Sequence, residues 1–250
     1  MALPSTVSIV AAANPVEIAA GGEDLAAPLA NRFVHLQWSA DLAQWQKGFL
    51  TGWTSQPSPL VVPADTLEAE GRWRGIIAGF LSARPDLFRK LPEGVGERGG
   101  AWPSPRTWDL CHRVLGAAEA AEAGLDVQLA LAVGCVGPGV GIELLNYSMS
   151  IDLPDPESLL AEADSCLLPQ RNDQLLAVLA SVVSAIAAKP SQARWHAGWR
   201  IMGRVVDEGQ PDVAAAVTDG LIDLRERDWT VPEVVQVFLP LLEQAGLLGD

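Results

Sequence analysis

The stretch Ala101-Trp-Pro-Ser-Pro-Arg-Thr-Trp108 contains a complete helix start. Ser104 can accept a hydrogen bond from a backbone N–H that a helix leaves unpaired, and Pro105 suits the first helical position because its φ is preset. Trp108, Cys111, Leu115 and Ala118 follow at helical spacing, and Gly124 is the expected stop. Outward from this segment the pattern stays helical. Toward the N-terminus, residues 73–84 place Ile76, Ile77, Phe80 and Leu81 on one side, and residues 40–53 read as an amphipathic helix. The Pro-bearing stretch 55–63 is a linker, and 94–100 is a Gly-rich loop. Toward the C-terminus, residues 175–188, 192–208 and 213–227 read as helices, and Thr230-Val-Pro-Glu233 has the capping-box spacing that opens a last helix to about 245. No fixed-period repeat supports a solenoid.

The first fifty residues differ. Val7-Ser-Ile-Val-Ala-Ala-Ala13 is a short continuous apolar run, suited to a strand buried on both faces, and Asn14-Pro15 closes it. Residues 24–31 read as a short helical segment. Phe33-Val-His-Leu-Gln-Trp38 then reads as a second strand with Val34, Leu36 and Trp38 on one face. The expected fold is therefore mainly α, with a short α/β section of about two strands followed by helices. A buried-type strand this close to Met1 has nothing before it to pair with.

The chain has 250 residues, 31 acidic against 17 basic, and a formal net charge of −14. That balance excludes a general nucleic-acid binder, which needs a basic stripe to replace counterions. Nine of the fifteen aromatics are Trp, pointing to packing anchors and not to a base-stacking platform. Cys111, Cys135 and Cys166 form no CxxC pair, so neither a disulfide framework nor a structural metal site is expected, and a reducing cytoplasm fits best. No apolar run reaches the roughly 18 residues of a membrane span, and no basic residue precedes Arg32 to make a signal peptide. Cys111-His112 reads as a buried thiol beside an exposed imidazole. Gly134-Cys-Val-Gly-Pro-Gly-Val-Gly141 lacks dinucleotide-loop spacing and reads as a helix-to-helix turn.

Three polar residues occupy unusual places. Asn14 sits at the carboxyl end of the first strand, the edge where open α/β sheets bind ligands, although Asn before Pro is also an ordinary turn former. Arg32 lies between a helix end and a strand start. It either compensates the helix C-terminus or projects as an arginine finger toward a neighbouring phosphoryl group. Arg106 occupies a first helical turn, where the macrodipole disfavours a cation, so it either meets an anion there or extends into solvent.

Val-Ala-Ala-Ala-Asn-Pro around Asn14, Ala-Pro-Leu-Ala-Asn-Arg-Phe ending at Phe33, and Ala101 to Trp108 together resemble, in order, sensor 1, the arginine-finger segment and sensor 2 of MoxR-like AAA+ ATPases. The match covers residues 5–165 and, more loosely, the helical tail. The resemblance implies that Asn14 positions the attacking water, Arg32 reaches the adjacent protomer's nucleotide, and Arg106 contacts phosphate from a lid helix. It implies an AAA+ core end at 1–52, a helical lid at 58–165 and a helical extension at 166–250. It also implies ATP and Mg2+ as cofactors, a ring homo-oligomer, and chaperone-like work on client proteins beside von Willebrand factor A domain partners.

The nucleotide-binding half is missing. A P-loop needs Gly-Lys followed by Ser or Thr, whereas Lys47, Lys90 and Lys189 are followed by Gly48, Leu91 and Pro190. No apolar strand ends in the paired acids that hold magnesium. The chain alone is therefore expected neither to bind ATP tightly nor to hydrolyse it, and to be a C-terminal fragment from a truncated gene or a start codon assigned too far downstream. The alternative is a non-enzymatic helical scaffold derived from an AAA+ ATPase.

Overall fold

The structure, a computed structural model, describes residues 9–14, 25–53, 63–94, 96–235 and 238. Ten α-helices lie among them: α1 (Ala27–Ala30), α2 (Leu42–Thr51), α3 (Thr66–Ala83), α4 (Pro105–Ala120), α5 (Leu125–Val136), α6 (Pro138–Ser150), α7 (Pro156–Ala161), α8 (Asn172–Ala188), α9 (Gln192–Asp207) and α10 (Pro211–Asp223). The mainly helical fold expected from the sequence is what the chain adopts. None of the described helices is long and apolar enough to cross a membrane.

The local signals work as chemistry dictates. Ser104 Oγ accepts from Thr107 N at 3.2 Å, and Thr107 Oγ1 accepts from Ser104 N at 2.8 Å, closing a reciprocal cap over α4. Asp41, Asp155 and Ser191 cap α2, α7 and α9 in the same way with one bond each. Gly124, expected to stop α4, instead precedes α5 as its N-cap. The left-handed residue after α4 is Glu122, with φ of 53°, and the chain reverses before Gly124 is reached. The glycine run at 134–141 is a helix-to-helix joint. Gly137 alone separates α5 from α6, and its φ of +86° is one that a side chain would strain.

Two apolar clusters form. Trp73, Ile76, Ile77 and Phe80 of α3 pack with Trp108, Cys111 and Leu115 of α4, Cys135 of α5 and Leu144 of α6. Leu175, Val178, Leu179, Val182 and Ile186 of α8 pack with α7, with Trp195, Trp199 and Met202 of α9, and with Leu221 of α10. Leu153 touches both clusters. The join between them is an antiparallel seam of α3 on α8. Gly71, Gly75 and Gly79 bring α3 against Ser184, Ala177 with Ser181, and Asp173 respectively, so closely that a Cβ on any of the three would overlap α8. Backbones can approach this far only because the α3 stripe has no side chains.

Neither expected strand forms among the described residues. Residues 9–14 are exposed and irregular, and the rest of that apolar run lies outside the described residues. Residues 34–41 run without turn, bend or helix but have no ladder partner among the described residues. A strand exists only as one member of a pair, so an apolar period of two is not sufficient to make one. The last helix is also only partly visible. Val235 and Phe238 are helical, most of the remainder to 245 lies outside the described residues, and Thr230 Oγ1 accepts from Gln192 Nε2 at 2.6 Å instead of capping it.

Candidate functional site: the Asn31–Ser104 junction

Asn31 follows α1 and is only 3% exposed. A buried amide must find partners for both ends. Its Nδ2 donates to the Trp102 carbonyl at 3.1 Å, and its Oδ1 accepts from Ser104 Oγ at 2.6 Å. Ser104 therefore serves two segments at once, donating to Asn31 while accepting from Thr107 N. Thr107 Oγ1 also donates to the Trp102 carbonyl at 3.0 Å. This network fastens the turn holding Arg32 to the helix start holding Arg106.

Arg32 and Arg106 thus lie on either side of one buried hydrogen-bond network, each one or two residues from a member of it. Both side chains are exposed. The Arg32 guanidinium turns back and donates from Nη1 to the Pro28 carbonyl, an end group of α1, which is the helix-terminus role open to it from sequence. Arg106, at the second position of α4, has no ion-pair or hydrogen-bond partner among the described residues. Asn14 is exposed, and no described hydrogen bond links it to either arginine. The structure brings two of the three candidate residues, Arg32 and Arg106, to one junction.

Sequence reasoning missed Asn31 itself. It is the residue beside Arg32, and its only signal was a polar side chain between an apolar turn and a strand-like run. His35 was missed too. Its N–H donates to the Gly134 carbonyl at 2.8 Å, and its Nε2 donates to the Ala30 carbonyl at 2.9 Å. These bonds lash residues 30–35 to α5.

His112, expected to be exposed, is buried, with 5% exposure. Its Nε2 accepts from Arg74 Nη2 at 3.3 Å, since a guanidinium can only donate. Burial first, and Arg74 second, hold its pKa below the ordinary 6.5. The folded chain therefore refuses a proton that the unfolded chain accepts near pH 6.5. Stability from this residue is complete above that pH and is lost as pH falls toward the lowered folded value. Melting His112→Gln and the parent at about pH 7.5 and about pH 5.5 should show a smaller acid shift in the variant. An equal shift would remove His112 as the sensor. Carboxylates held low by partners, such as Glu157 beside Arg194, act only at more acidic pH.

No group of His, Cys, Asp or Glu able to hold a metal ion occurs among the described residues. With no P-loop in the sequence and only exposed arginines at the junction, the residues present do not by themselves fit a magnesium nucleotide. Comparison with family models, curated proteins and solved structures finds no match to this chain.

Proposed function

We propose that this chain is the sensor, arginine-finger and lid portion of a MoxR-like AAA+ ATPase, a ring-forming machine that couples ATP hydrolysis to chaperone-like remodelling or maturation of client proteins. The observation that supports this reading best is the Asn31 bridge to Trp102 and Ser104. It ties together two of the three segments on which the resemblance rests, across 73 residues of sequence in the case of Ser104. In this reading Arg32 swings from Pro28 toward a neighbour's nucleotide, Arg106 meets phosphate, and Asn14 orients water. Residues 1–52 end an ATPase core, 58–165 form the lid and 166–250 extend it. ATP and Mg2+ belong to a P-loop-bearing half that these 250 residues do not include, so no hydrolytic step is assigned to the chain's own residues. Clients and von Willebrand factor A domain partners follow from the same reading.

The second reading is a helical scaffold of AAA+ descent. The bond from Arg32 to the Pro28 carbonyl favours it, because that guanidinium already has a structural task. The two readings part on one measurement. Steady-state ATP hydrolysis by a MoxR-like relative with an intact P-loop is followed with and without this chain. Under the first reading the parent chain changes the rate, and Arg32→Ala loses about 10³-fold of any stimulated component, as for other arginine fingers. Identical traces with parent and variant would leave the scaffold.

A further inference from the structure

Helices α4 and α5 pack against each other and are joined by residues 121–124 alone, a connection short enough to make them antiparallel neighbours. Cys111 lies nine residues before the end of α4 at Ala120, and Cys135 ten after the start of α5 at Leu125, so the two stand at one level of the hairpin. Both are 0% exposed, inside the first apolar cluster, and neither is in a disulfide. Each thiol is the other's neighbour: hydrogen bonding to the Cys135 sulfur, and then burial, hold the Cys111 thiol well above its ordinary 9.0. Cys166 belongs to the second cluster, where Arg204 donates from Nη1 to its Sγ at 3.0 Å and from Nη2 to its carbonyl at 2.7 Å. Of the three possible pairings, only Cys111 with Cys135 brings two sulfurs together. Burial as small apolar groups accounts for each thiol separately, but not for their meeting across the seam.

We propose that Cys111 and Cys135 form a redox-sensitive pair that closes to a disulfide under hydrogen peroxide and staples α4 to α5. In the closed core both sulfurs are protonated and sealed from water, so the reaction proceeds through openings of the hairpin. One thiolate attacks a peroxide oxygen, giving a sulfenic acid, and the expelled hydroxide leaves as water with the proton that the thiol gave up. The second sulfur then attacks the sulfenic sulfur, and its proton leaves with the displaced hydroxyl as a second water. Two thiols have lost two electrons and two protons, and one peroxide has become two waters. Burial thus makes the pair respond to oxidant only in proportion to opening, where an exposed thiol of low pKa responds at once. The staple bears on the junction. Ser104 at the start of α4 holds Asn31, and Gly134, beside Cys135, holds His35. Oxidation therefore cross-links the two helices that fasten residues 30–35. This inference does not depend on the ATPase reading.

Peptide mass spectrometry of the full chain tests it. The native chain is incubated with hydrogen peroxide, its remaining thiols are alkylated in denaturant, and it is digested after Arg and Glu, so that Arg113 and Glu143 separate the three cysteines. The expected product is one cross-link, Cys111 to Cys135, with Cys166 outside it and with both thiols recovered by dithiothreitol. Urea below the unfolding transition should speed closure by about tenfold or more, because it populates the opening. The cross-linked chain should melt at least about 3 °C above the reduced one. Cys111→Ala and Cys135→Ala should show no peroxide-dependent rise; should either fail to fold, the parent's cross-link and its reversal decide alone. A cross-link formed chiefly through Cys166 overturns the inference. So do sulfinic or sulfonic acid at Cys111 or Cys135 in place of the disulfide, thiols that stay reduced even in urea, and a cross-linked chain whose midpoint is unmoved.

Discussion

Trp195→Ala should lower the thermal midpoint by roughly 6–20 °C, the equivalent of about 3–5 kcal/mol in a chain of this size. Trp195 is buried in the second cluster, where its ring lies edge-on to Trp199 with centroids 5.9 Å apart and tilted against Trp229 at the same separation. Its Nε1 donates to the Leu221 carbonyl at 2.7 Å, joining α9 to α10. Truncation therefore removes a large apolar volume, leaves a cavity between rigid neighbours, and orphans a buried carbonyl. Trp195→Phe separates these effects. It retains most of the apolar area and loses mainly the hydrogen bond, so its midpoint should fall between those of parent and alanine variant. Leu167→Ala, at a strongly exposed position, should change stability by no more than about 0.5 kcal/mol. Differential scanning calorimetry checks all three. An unshifted midpoint for Trp195→Ala would mean that this ring is not a core residue.

The tryptophans also show what could be read in advance. Their number suggested packing anchors, and Trp73, Trp102, Trp108, Trp195, Trp199 and Trp229 are buried as anchors should be. Trp38, Trp45 and Trp53 are exposed. Nothing in composition separates the two sets, because burial depends on what an element packs against. The same division holds for secondary structure. Ser104-Pro105 names a helix start through local bonds, and the structure forms that cap. Local rules likewise place α8 and α9 to within a few residues. They fail at 33–38, where a period of two is necessary for a strand but pairing is settled elsewhere. They fail again at His112, which is buried and accepts a hydrogen bond from Arg74 of a different helix. At the junction, Arg32 and Arg106 were legible as cations in unusual places, while Asn31 was not. Its value lies in two bonds to residues 71 and 73 positions away, and long-range partners leave no trace in local spacing.

Gly75→Ala should destabilise the chain by about 1–3 kcal/mol even though alanine is the better helix former by about 1 kcal/mol. The sign follows from what the new methyl meets. At Gly75 it strikes the Ala177 carbonyl oxygen, a backbone atom of α8 that cannot rotate aside. Relief requires α3 and α8 to separate, and that loosens the approaches at Gly71 and Gly79 as well. The same substitution at Gly139, inside α6 with no atom within 4 Å, has no such opponent and should stabilise by roughly 0.4–1 kcal/mol. One chemical change thus gives opposite signs at two helical glycines. Gly75→Leu goes further. The seam is where α3 of the first cluster meets α8 of the second, so wedging it open should cost more than about 4 kcal/mol and replace one cooperative unfolding transition with two. Calorimetry distinguishes a broadened, split endotherm from a single shifted one. If Gly75→Ala proves as stabilising as Gly139→Ala, the helices are not in backbone contact, and the two clusters are joined by something other than this seam.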